Sequence, residues 1–326
     1  MRDDAHGADC VIALDVGGTG MKGALLDRGL KTLRTARTTT PRRSGPDAVT
    51  AGIATVLRDL DRSAVALGLT VRGAGVVVPG VVDEETRTAV YSANLGWRDL
   101  PLAASLEEAT GLTVSLGHDV RAGGAAECRV GAAKGVRDAC FVPVGTGISA
   151  AVFCDGRPVR ARGYAGEIGH VVVEPGGEPC SCGARGCLET VASAAAIGRT
   201  YSARTGRRVE GAAPVAALLA QGDPDARFVW DRAVEALATA LATLTTLLAP
   251  ETVVLGGGLA EAGDLLMGPL RSSLARRLTF QQRPELVPAA LGDMAGCLGA
   301  GLAAWDTADG TSPPPRPLGG PRVTAS

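Results

Sequence analysis

The residues of this sequence best suited to chemistry are three cysteines and one histidine that lie close together in the chain. His170 is followed by Cys180, Cys182 and Cys187, all within 18 residues. Three thiolates and one imidazole form a complete tetrahedral ligand set for zinc, and the glycines between them permit the sharp turns that converging ligands need. The pattern therefore predicts a zinc site, with unmetallated thiols as the alternative. Because four protein ligands leave no open position for water, the zinc would be structural.

Glycine-containing turns follow three predicted strands. They are Asp15-Val16-Gly17-Gly18-Thr19, Gly145-Thr146-Gly147 and Gly256-Gly257-Gly258. Glycine lets backbone N–H groups approach a phosphate closely, so turns of this kind can hold a phosphate chain. One such turn alone is more typical of a tight hairpin, but three at strand ends favour a nucleotide site. The sequence contains no P-loop motif, and the first turn leads into a second strand rather than the helix of a Rossmann fingerprint.

The elements that must position these residues divide into two similar halves. Apolar residues 11–14 and 21–26 flank the first glycine turn, and residues 141–144 and 148–153 flank the second. Each place is therefore predicted to form a strand, a turn and a strand. The other predicted elements are helices over 48–60, 102–109, 120–130 and 193–201, a long helix from Pro224 that Pro250 ends, and strands over 73–82, 112–116 and 252–255.

Length and composition exclude several broad classes of protein. The chain has 326 residues, of which 46% are hydrophobic and 21% charged, and its formal net charge is -1. This length suits two domains, and the balanced charge argues against a nucleic-acid or membrane partner held by charge. The N-terminus lacks the pattern of a secretory signal, and the longest apolar stretch, residues 236–249, is too short and threonine-rich to span a bilayer. We therefore expect a cytoplasmic protein without disulfides.

Three motifs together resemble the ROK family of repressors, open reading frames and sugar kinases. They are Asp15-Val16-Gly17-Gly18-Thr19, Glu167-Ile168-Gly169-His170, and the segment from Cys180-Ser181-Cys182-Gly183 through Gly186-Cys187-Leu188-Glu189, in a match over about residues 10–305. The resemblance implies an α/β fold of the sugar kinase, actin and Hsp70 superfamily, with two duplicated ribonuclease H-like lobes that clamp ATP in the cleft between them.

The resemblance also implies a division of the chain into lobes. We expect a small N-terminal lobe over residues 11–118, completed by a C-terminal helix over 296–306, and a large lobe over 119–295 that carries the zinc-binding loop. Residues 1–10 are expected to be disordered. Residues 307–326 are rich in proline and glycine, and we expect them to form a disordered tail.

Individual residues receive roles from the same resemblance. Asp15 would help to position a hydrated Mg²⁺. The phosphates of ATP would be surrounded by Gly17, Gly18, Thr19, Gly145, Thr146 and Gly147, with Gly257 and Gly258 near the adenosine. Sugar hydroxyls would be contacted by Glu167, His170 and Glu189, and His170 would place its other ring nitrogen on the zinc. Gly80 and Asn94 resemble residues that line the sugar pocket from the small lobe.

The base expected for phosphoryl transfer is Asp119. It lies between a predicted strand and a helix of small residues, where a lone aspartate is more typical of a helix N-cap. Its correspondence to the base of the family favours the catalytic role instead. Most members of the family have Asn-Asp at this point, whereas this chain has His118-Asp119. His118 is carried over as a sugar contact, and the change leaves the preferred sugar open.

The resemblance implies ATP-dependent phosphorylation of the 6-hydroxyl of a hexose, with glucose as the first expectation. The close alternative is another hexose, such as N-acetylmannosamine, allose or fructose. A sugar-responsive transcriptional repressor is the alternative from another class, but about ten residues precede the first predicted strand, too few for a helix-turn-helix domain. By analogy with relatives, the enzyme is expected to be a homodimer or homotetramer.

Overall fold

A computed structural model describes residues 8–311 of the chain, which fold into two compact units. The first unit contains residues 8–123, Ala161–Gly163 and 296–311, and the second contains Gly124–Arg160 and Tyr164–Ala295. The boundary differs from the expected lobes, because residues 119–123 and 161–163 belong to the first unit. Arg121 accounts for part of this difference, since its Nη1 donates to the carbonyl of Gly163 at 3.4 Å and its Nη2 to that of Val82 at 3.0 Å.

Strands and helices alternate along the chain. The strands are β1 (Asp9–Val16), β2 (Gly20–Leu26), β3 (Thr32–Thr39), β4 (Thr70–Val78), β5 (Val81–Asp83), β6 (Thr88–Ser92), β7 (Trp97–Leu100), β8 (Val114–His118), β9 (Ala139–Pro143), β10 (Ala151–Cys154), β11 (Arg157–Pro158), β12 (Thr252–Gly256) and β13 (Glu285–Pro288). The α-helices are α1 (Pro46–Ala66), α2 (Leu102–Thr110), α3 (Asp119–Val130), α4 (Leu188–Ala192), α5 (Ala194–Thr205), α6 (Ala213–Ala220), α7 (Pro224–Leu248), α8 (Asp264–Arg277) and α9 (Ala295–Ala308).

A five-stranded sheet with the order β3-β2-β1-β4-β8 forms the centre of the first unit. Strands β1, β2 and β3 are antiparallel neighbours, whereas β1, β4 and β8 run parallel. Apolar residues of α1 at helical spacing, including Ile53, Leu57 and Leu60, are buried in a core with one face of this sheet. The opposite face approaches α9, where a Cβ on Gly301 would lie 2.4 Å from Leu26. Because β1, β4 and β8 run parallel, their carboxyl ends lie at the same edge of the sheet.

The single strand that the sequence predicts over residues 73–82 is wrong. Strand β4 ends at Val78, and β5 starts at Val81 in a separate three-stranded sheet with the order β5-β6-β7. Gly80 causes the break, since its φ is +109° and a Cβ there would lie 2.2 Å from the carbonyl oxygen of Tyr91. Only glycine fits this conformation and this close approach.

The second unit repeats the strand arrangement of the first. Its five-stranded sheet has the order β11-β10-β9-β12-β13, with β9, β10 and β11 antiparallel and β9, β12 and β13 parallel. Strand β10 is shorter than predicted, because residues 148–150 carry only an isolated bridge between Ile148 and Val144. Helix α7, capped by the Asp223 side chain, packs against α4, α5, α6 and α8 and buries Trp230 and Leu237.

The chain ends differ in part from the sequence expectation. Asp9 and Cys10, expected in a disordered N-terminus, begin β1 because they pair with Thr70 and Val71 of β4. Helix α9 extends two residues beyond the predicted end, to Ala308. Residues 1–7 and 312–326 lie outside the described part of the chain, and with them most of the two segments predicted to be disordered. Within residues 8–311, no helix combines the length and the apolar character needed to cross a membrane.

Candidate functional site

The first glycine turn is the connection of the β1–β2 hairpin in the first unit. The backbone N–H of Gly17 donates to the carbonyl of Gly20 at 2.8 Å, which closes the turn. Thr40, just after β3, holds the turn from the side: its hydroxyl donates to the carbonyl of Gly17 at 2.6 Å and its N–H to that of Thr19 at 3.1 Å. The turn is thereby fixed at the end of β1, as the sequence predicted.

A cavity of about 300 Å³ lies beside this turn. Its lining includes the predicted residues Asp15, Gly17 and Thr19, together with Lys22 and Arg37. Asp15 pairs with Lys22 across β1 and β2, and Lys22 pairs with Arg37 across β2 and β3, so the three side chains share one face of the sheet. One carboxylate, two cationic groups and a hydroxyl suit an anionic phosphate chain with a divalent cation.

Sequence reasoning missed Lys22 and Arg37. Lys22 follows the turn at the point where the alternation of β2 places it on the same face as Asp15, and it is one of three lysines in the chain. That alternation could have identified it. Arg37 carried no such signal, because its place beside Lys22 depends on the register of β2 and β3.

Gly80 and Asn94, the predicted sugar-pocket residues of the first unit, lie near the same edge of the sheet. Gly80 follows the end of β4, next to the end of β8. Asn94 is exposed, and a Cβ on Gly18 would lie 3.7 Å from the Cβ of Asn94. The first unit thus brings Asn94 next to the first glycine turn.

The predicted base, Asp119, is the first residue of α3 and is half-buried. Strand β8 ends at His118, so the strand-to-helix turn predicted for this place is present. Oδ1 of Asp119 accepts a hydrogen bond from the N–H of Val120 at 2.7 Å and lies 3.4 Å from Nε2 of His118. The carboxylate is therefore oriented through one of its two oxygens.

Two glycine turns lie side by side in the second unit. They follow β9 and β12, which are parallel neighbours, and Gly256 pairs with Pro143 at the end of both strands. The N–H of Val144 donates to the carbonyl of Gly256, and the N–H of Leu259 donates back to the carbonyl of Val144. Gly257 has a φ of +76°, and a Cβ there would lie 2.4 Å from the carbonyl oxygen of Val144. The carboxyl ends of parallel strands are where α/β folds bind ligands.

Glu189 lies against the turn made by Gly145, Thr146 and Gly147. Its Oε2 accepts a hydrogen bond from the N–H of Ile148 at 3.1 Å, and a Cβ on Gly147 would lie 2.6 Å from that oxygen. Glu189 is in the first turn of α4, two residues after Cys187. The carboxylate that is predicted to contact the sugar therefore also accepts a hydrogen bond beside a turn that is predicted to contact phosphate.

The four predicted metal ligands come together in the second unit. One donor atom from each of His170, Cys180, Cys182 and Cys187 lies within 4.8 Å of the other three. Sγ of Cys182 and Sγ of Cys187 are 3.7 Å apart, and Sγ of Cys180 is 3.5 Å from Nδ1 of His170. Two sulfurs on one tetrahedral zinc would be about 3.8 Å apart, and a sulfur and a nitrogen about 3.6 Å apart. The spacing and the donor types fit zinc.

The other ring nitrogen of His170 faces Glu167. Nε2 of His170 is 3.8 Å from Oε2 of Glu167, while Nδ1 faces Cys180. Histidines that bind a metal commonly direct their second nitrogen at a carboxylate, which fixes the ring orientation. Nδ1 of His170 therefore faces the cysteine cluster, and Nε2 faces a carboxylate.

The cysteines differ in proton affinity, both inside and outside the cluster. Burial raises the pKa of Cys140 to about 12 and that of Cys128 to about 11, so both are thiols at neutral pH. In the cluster, the N–H of Ala184 lowers the pKa of Cys182, whereas burial raises the pKa of Cys187 to about 12. A divalent cation among the sulfurs favours the thiolate form of each.

Two buried charged residues near α3 escaped the sequence reasoning. Arg121 donates through Nε to Oε1 of Glu84 at 2.9 Å, which ties α3 to the loop after β5. Glu127, fully buried, accepts from the N–H groups of Ala132 and Leu291 at 2.7 and 2.9 Å. Most of the partners of Arg121 and Glu127 are distant along the chain, so the sequence does not reveal these contacts. The one available signal was the presence of charged residues in a predicted helix of small residues.

Known proteins resemble this chain along most of its length. The model of the ROK family matches residues 11–306. A glucokinase of Thermotoga maritima is 34% identical over 307 residues, which cover 89% of this chain and 95% of that protein. An N-acetylmannosamine kinase of Citrobacter koseri is 31% identical over 299 residues, which cover 90% of this chain and 98% of that protein.

A solved structure is similar to this chain in three dimensions. A ROK family glucokinase from Streptomyces griseus, in complex with glucose and AMPPNP, is 28% identical, with a TM-score of 0.77 over 91% of this chain and 99% of that chain. The expected fold of the sugar kinase superfamily is thereby confirmed. Because the family model covers nearly all of the described residues and the aligned kinases are more than 30% identical, the protein belongs to the ROK family.

Proposed function

We propose that this protein is a kinase that transfers the terminal phosphoryl group of ATP to the 6-hydroxyl of a hexose, with glucose as the preferred sugar. The similarity to the Thermotoga glucokinase along 89% of the chain supports the reaction and the sugar. The glucose and AMPPNP held by the Streptomyces glucokinase support ATP as the donor. The main structural observation behind the proposal is the carboxylate of Asp119, which follows the end of β8 and is oriented by the N–H of Val120.

Asp119 acts as the general base. Its carboxylate takes the proton of the 6-hydroxyl while the hydroxyl oxygen forms a bond to the terminal phosphorus of ATP. The bond between that phosphorus and the bridging oxygen breaks, and its electron pair leaves with ADP. The products are the hexose 6-phosphate and ADP, and the proton remains on Asp119 until solvent removes it.

Glycine turns hold the phosphates. In the first unit, Gly17 and Thr19 border the cavity that Asp15, Lys22 and Arg37 also line, and Gly18 lies between them in the turn. In the second unit, the phosphates are contacted by Gly145, Thr146 and Gly147. The adenosine is contacted by Gly257 and Gly258. Asp15 would hold Mg²⁺ through water, and Mg²⁺ would neutralise charge on the phosphates.

Side chains orient the sugar through its hydroxyl groups. The residues proposed for this role are Glu167, His170 and Glu189, together with Gly80 and Asn94. Zinc on His170, Cys180, Cys182 and Cys187 would supply a structural link that fixes the imidazole and the segment leading to Glu189. Support for this comes from the 3.5 Å contact that places Nδ1 of His170 against Cys180.

A panel of hexoses tests the proposed function. Purified protein is incubated with ATP, Mg²⁺ and one sugar at a time, namely glucose, N-acetylmannosamine, allose or fructose, and ADP release is followed by a coupled assay. We expect the highest kcat/KM with glucose, and oxidation of the product by glucose-6-phosphate dehydrogenase identifies the 6-phosphate. A higher kcat/KM with N-acetylmannosamine would instead favour the activity of the Citrobacter relative. No stimulation by any sugar would refute a hexose kinase and favour a sugar-responsive regulator.

We also infer a cytoplasmic location and self-association. All eight cysteines are unpaired, which suits a reducing compartment that also supplies ATP. A homodimer or homotetramer is inferred by analogy with relatives, and light scattering of the purified protein measures it. The partners proposed are thus the hexose, ATP and further copies of this chain, with no nucleic acid or membrane among them.

A further inference from the structure

We propose that His118 is a positioning residue that orients the base, rather than a residue that contacts the sugar. The inference rests on the proposed function, because it concerns how Asp119 is presented to the 6-hydroxyl. His118 is the last residue of β8, and its side chain is 8% exposed. A side chain buried to this degree offers little surface to a ligand, so its partners within the protein define its role.

The first partner of the imidazole is the backbone of α3. The N–H of Arg121 points to Nδ1 of His118 at 3.4 Å. A backbone N–H can only donate, so Nδ1 must be the acceptor and carry no proton. His118 thus occupies the position of a helix N-cap, where a side-chain acceptor satisfies one of the N–H groups at the start of the helix.

The second partner is the base itself. With Nδ1 unprotonated, the proton of the neutral ring is on Nε2, which lies 3.4 Å from Oδ1 of Asp119. The same Oδ1 accepts the N–H of Val120 at 2.7 Å. Hydrogen bonds of catalytic groups are often long before the substrate binds, so the 3.4 Å separation suits a contact that shortens in the complex. Two donors on Oδ1 leave Oδ2 as the oxygen that takes the sugar proton.

Two charged side chains hold the backbone around His118. Oε1 of Glu84 is 3.5 Å from the backbone nitrogen of His118 and 2.9 Å from Nε of Arg121. Arg121 is buried and donates further to the carbonyls of Val82 and Gly163. The start of α3 is therefore held by side-chain contacts, and both ring nitrogens of His118 face protein groups.

The protonation of the ring is measured directly by NMR on the full chain labelled with ¹⁵N-histidine. The sequence contains three histidines, so the His118→Asn variant identifies the signals of His118 by their absence. At neutral pH we expect a protonated Nε2 and an unprotonated Nδ1, and the Asp119→Ala variant should shift the Nε2 signal. A proton on Nδ1, or an Nε2 signal that Asp119→Ala leaves unchanged, would overturn the inference. This experiment needs neither sugar nor ATP, so its result does not depend on the proposed function.

Kinetics of ADP release then separate positioning from sugar contact. In His118→Leu, we expect kcat to fall about 10- to 100-fold, since a misoriented base costs this much, while the KM for glucose changes less than about threefold. His118→Asn retains an N-cap acceptor and an N–H donor and should recover most of kcat. An unchanged kcat with a glucose KM raised tenfold or more would refute positioning and make His118 a sugar contact. Absence of activity in the wild type would refute the proposed function instead, and the NMR result would still decide how His118 is paired.

Discussion

Glu189 illustrates how one side chain in this protein links two parts of the proposed site. It follows Cys187 by two residues, and its carboxylate accepts the N–H of Ile148 beside the turn of residues 145–147. We therefore expect a change at the metal ligands to displace both the proposed sugar contact and the proposed phosphate turn. At residue scale, the proposed chemistry depends on backbone contacts of this kind as much as on the identity of the side chains.

Gly257 provides a prediction at this scale. A Cβ there would lie 2.4 Å from the carbonyl oxygen of Val144, and the backbone is in the left-handed region at φ +76°. We expect Gly257→Ala to displace the turn and to raise the KM for ATP about tenfold, with a smaller effect on the KM for glucose. Steady-state kinetics with each substrate varied in turn measure both constants.

Gly268→Ala is the matched control for this prediction. Gly268 lies in α8 and a Cβ there would meet nothing within 4 Å, so both KM values should stay at the wild-type level. Equal ATP KM values in the two alanine variants would show that the turn after β12 does not contact the nucleotide.

The loop from His170 to Cys187 gives a prediction for an element. Metal binding to such a loop contributes to folding, because the ligands are brought together only in the folded state. We expect purified wild-type protein to contain about one zinc per chain, and Cys182→Ser to lose most of it with a lower Tm. Metal analysis and thermal unfolding measure the two effects.

Cys154→Ser serves as the control in that experiment, because Cys154 lies at the end of β10 and outside the cluster. It should keep the zinc. A wild type that contains no zinc, and whose Tm is unchanged by a chelator, would contradict the metal site.

The contact between α7 and α8 predicts a dependence of stability on pH. The hydroxyl of Ser273 donates to Oε1 of Glu235, and Arg277 pairs with Oε2, which together lower the pKa of Glu235. The unfolded chain therefore binds a proton more readily, so the stabilisation is complete above the unfolded pKa of about 4.3 and is lost as the pH falls through the lower folded pKa. We expect the Tm of Glu235→Gln to be lower than that of the wild type at pH 7 and to fall less between pH 5 and 3.

Glu210→Gln is the corresponding surface control. The side chain of Glu210 is 86% exposed, so this variant should follow the wild-type pH dependence. If the Tm of Glu235→Gln falls as steeply with acid as that of the wild type, the pairing with Ser273 and Arg277 does not stabilise the folded state.

The elements also show how far the sequence could predict the structure. The metal ligands and the glycine turns depend on short spacings, so their positions were predictable from local pattern. The sheet of β5, β6 and β7 was not, because its strands are short and the apolar run of β4 continues into β5. The contact of Glu127 with Leu291 spans 164 residues, and the pairing of Arg121 with Glu84 spans 37. Such contacts depend on the register and packing of whole elements.

At the scale of the whole molecule, the two units have the same sheet order. In each, an antiparallel group of three strands is followed by two strands parallel to its first member. The sequence indicated this repeat through its two strand-turn-strand segments, and the sheet topology confirms it. Where each unit ends was not predictable, since Ala161–Gly163 lies far along the chain from the rest of the first unit.

The central claim is that Asp119 is the base of a hexose kinase, and sugar-dependent ADP release in the wild type and in Asp119→Ala tests it most directly. With ATP, Mg²⁺ and saturating glucose, we expect wild-type turnover to depend on glucose and kcat in Asp119→Ala to fall about 100- to 10,000-fold, the usual contribution of a general base. Zinc content and Tm near the wild-type values would show that the variant is folded. A folded Asp119→Ala protein with a kcat close to that of the wild type would contradict the assignment of Asp119.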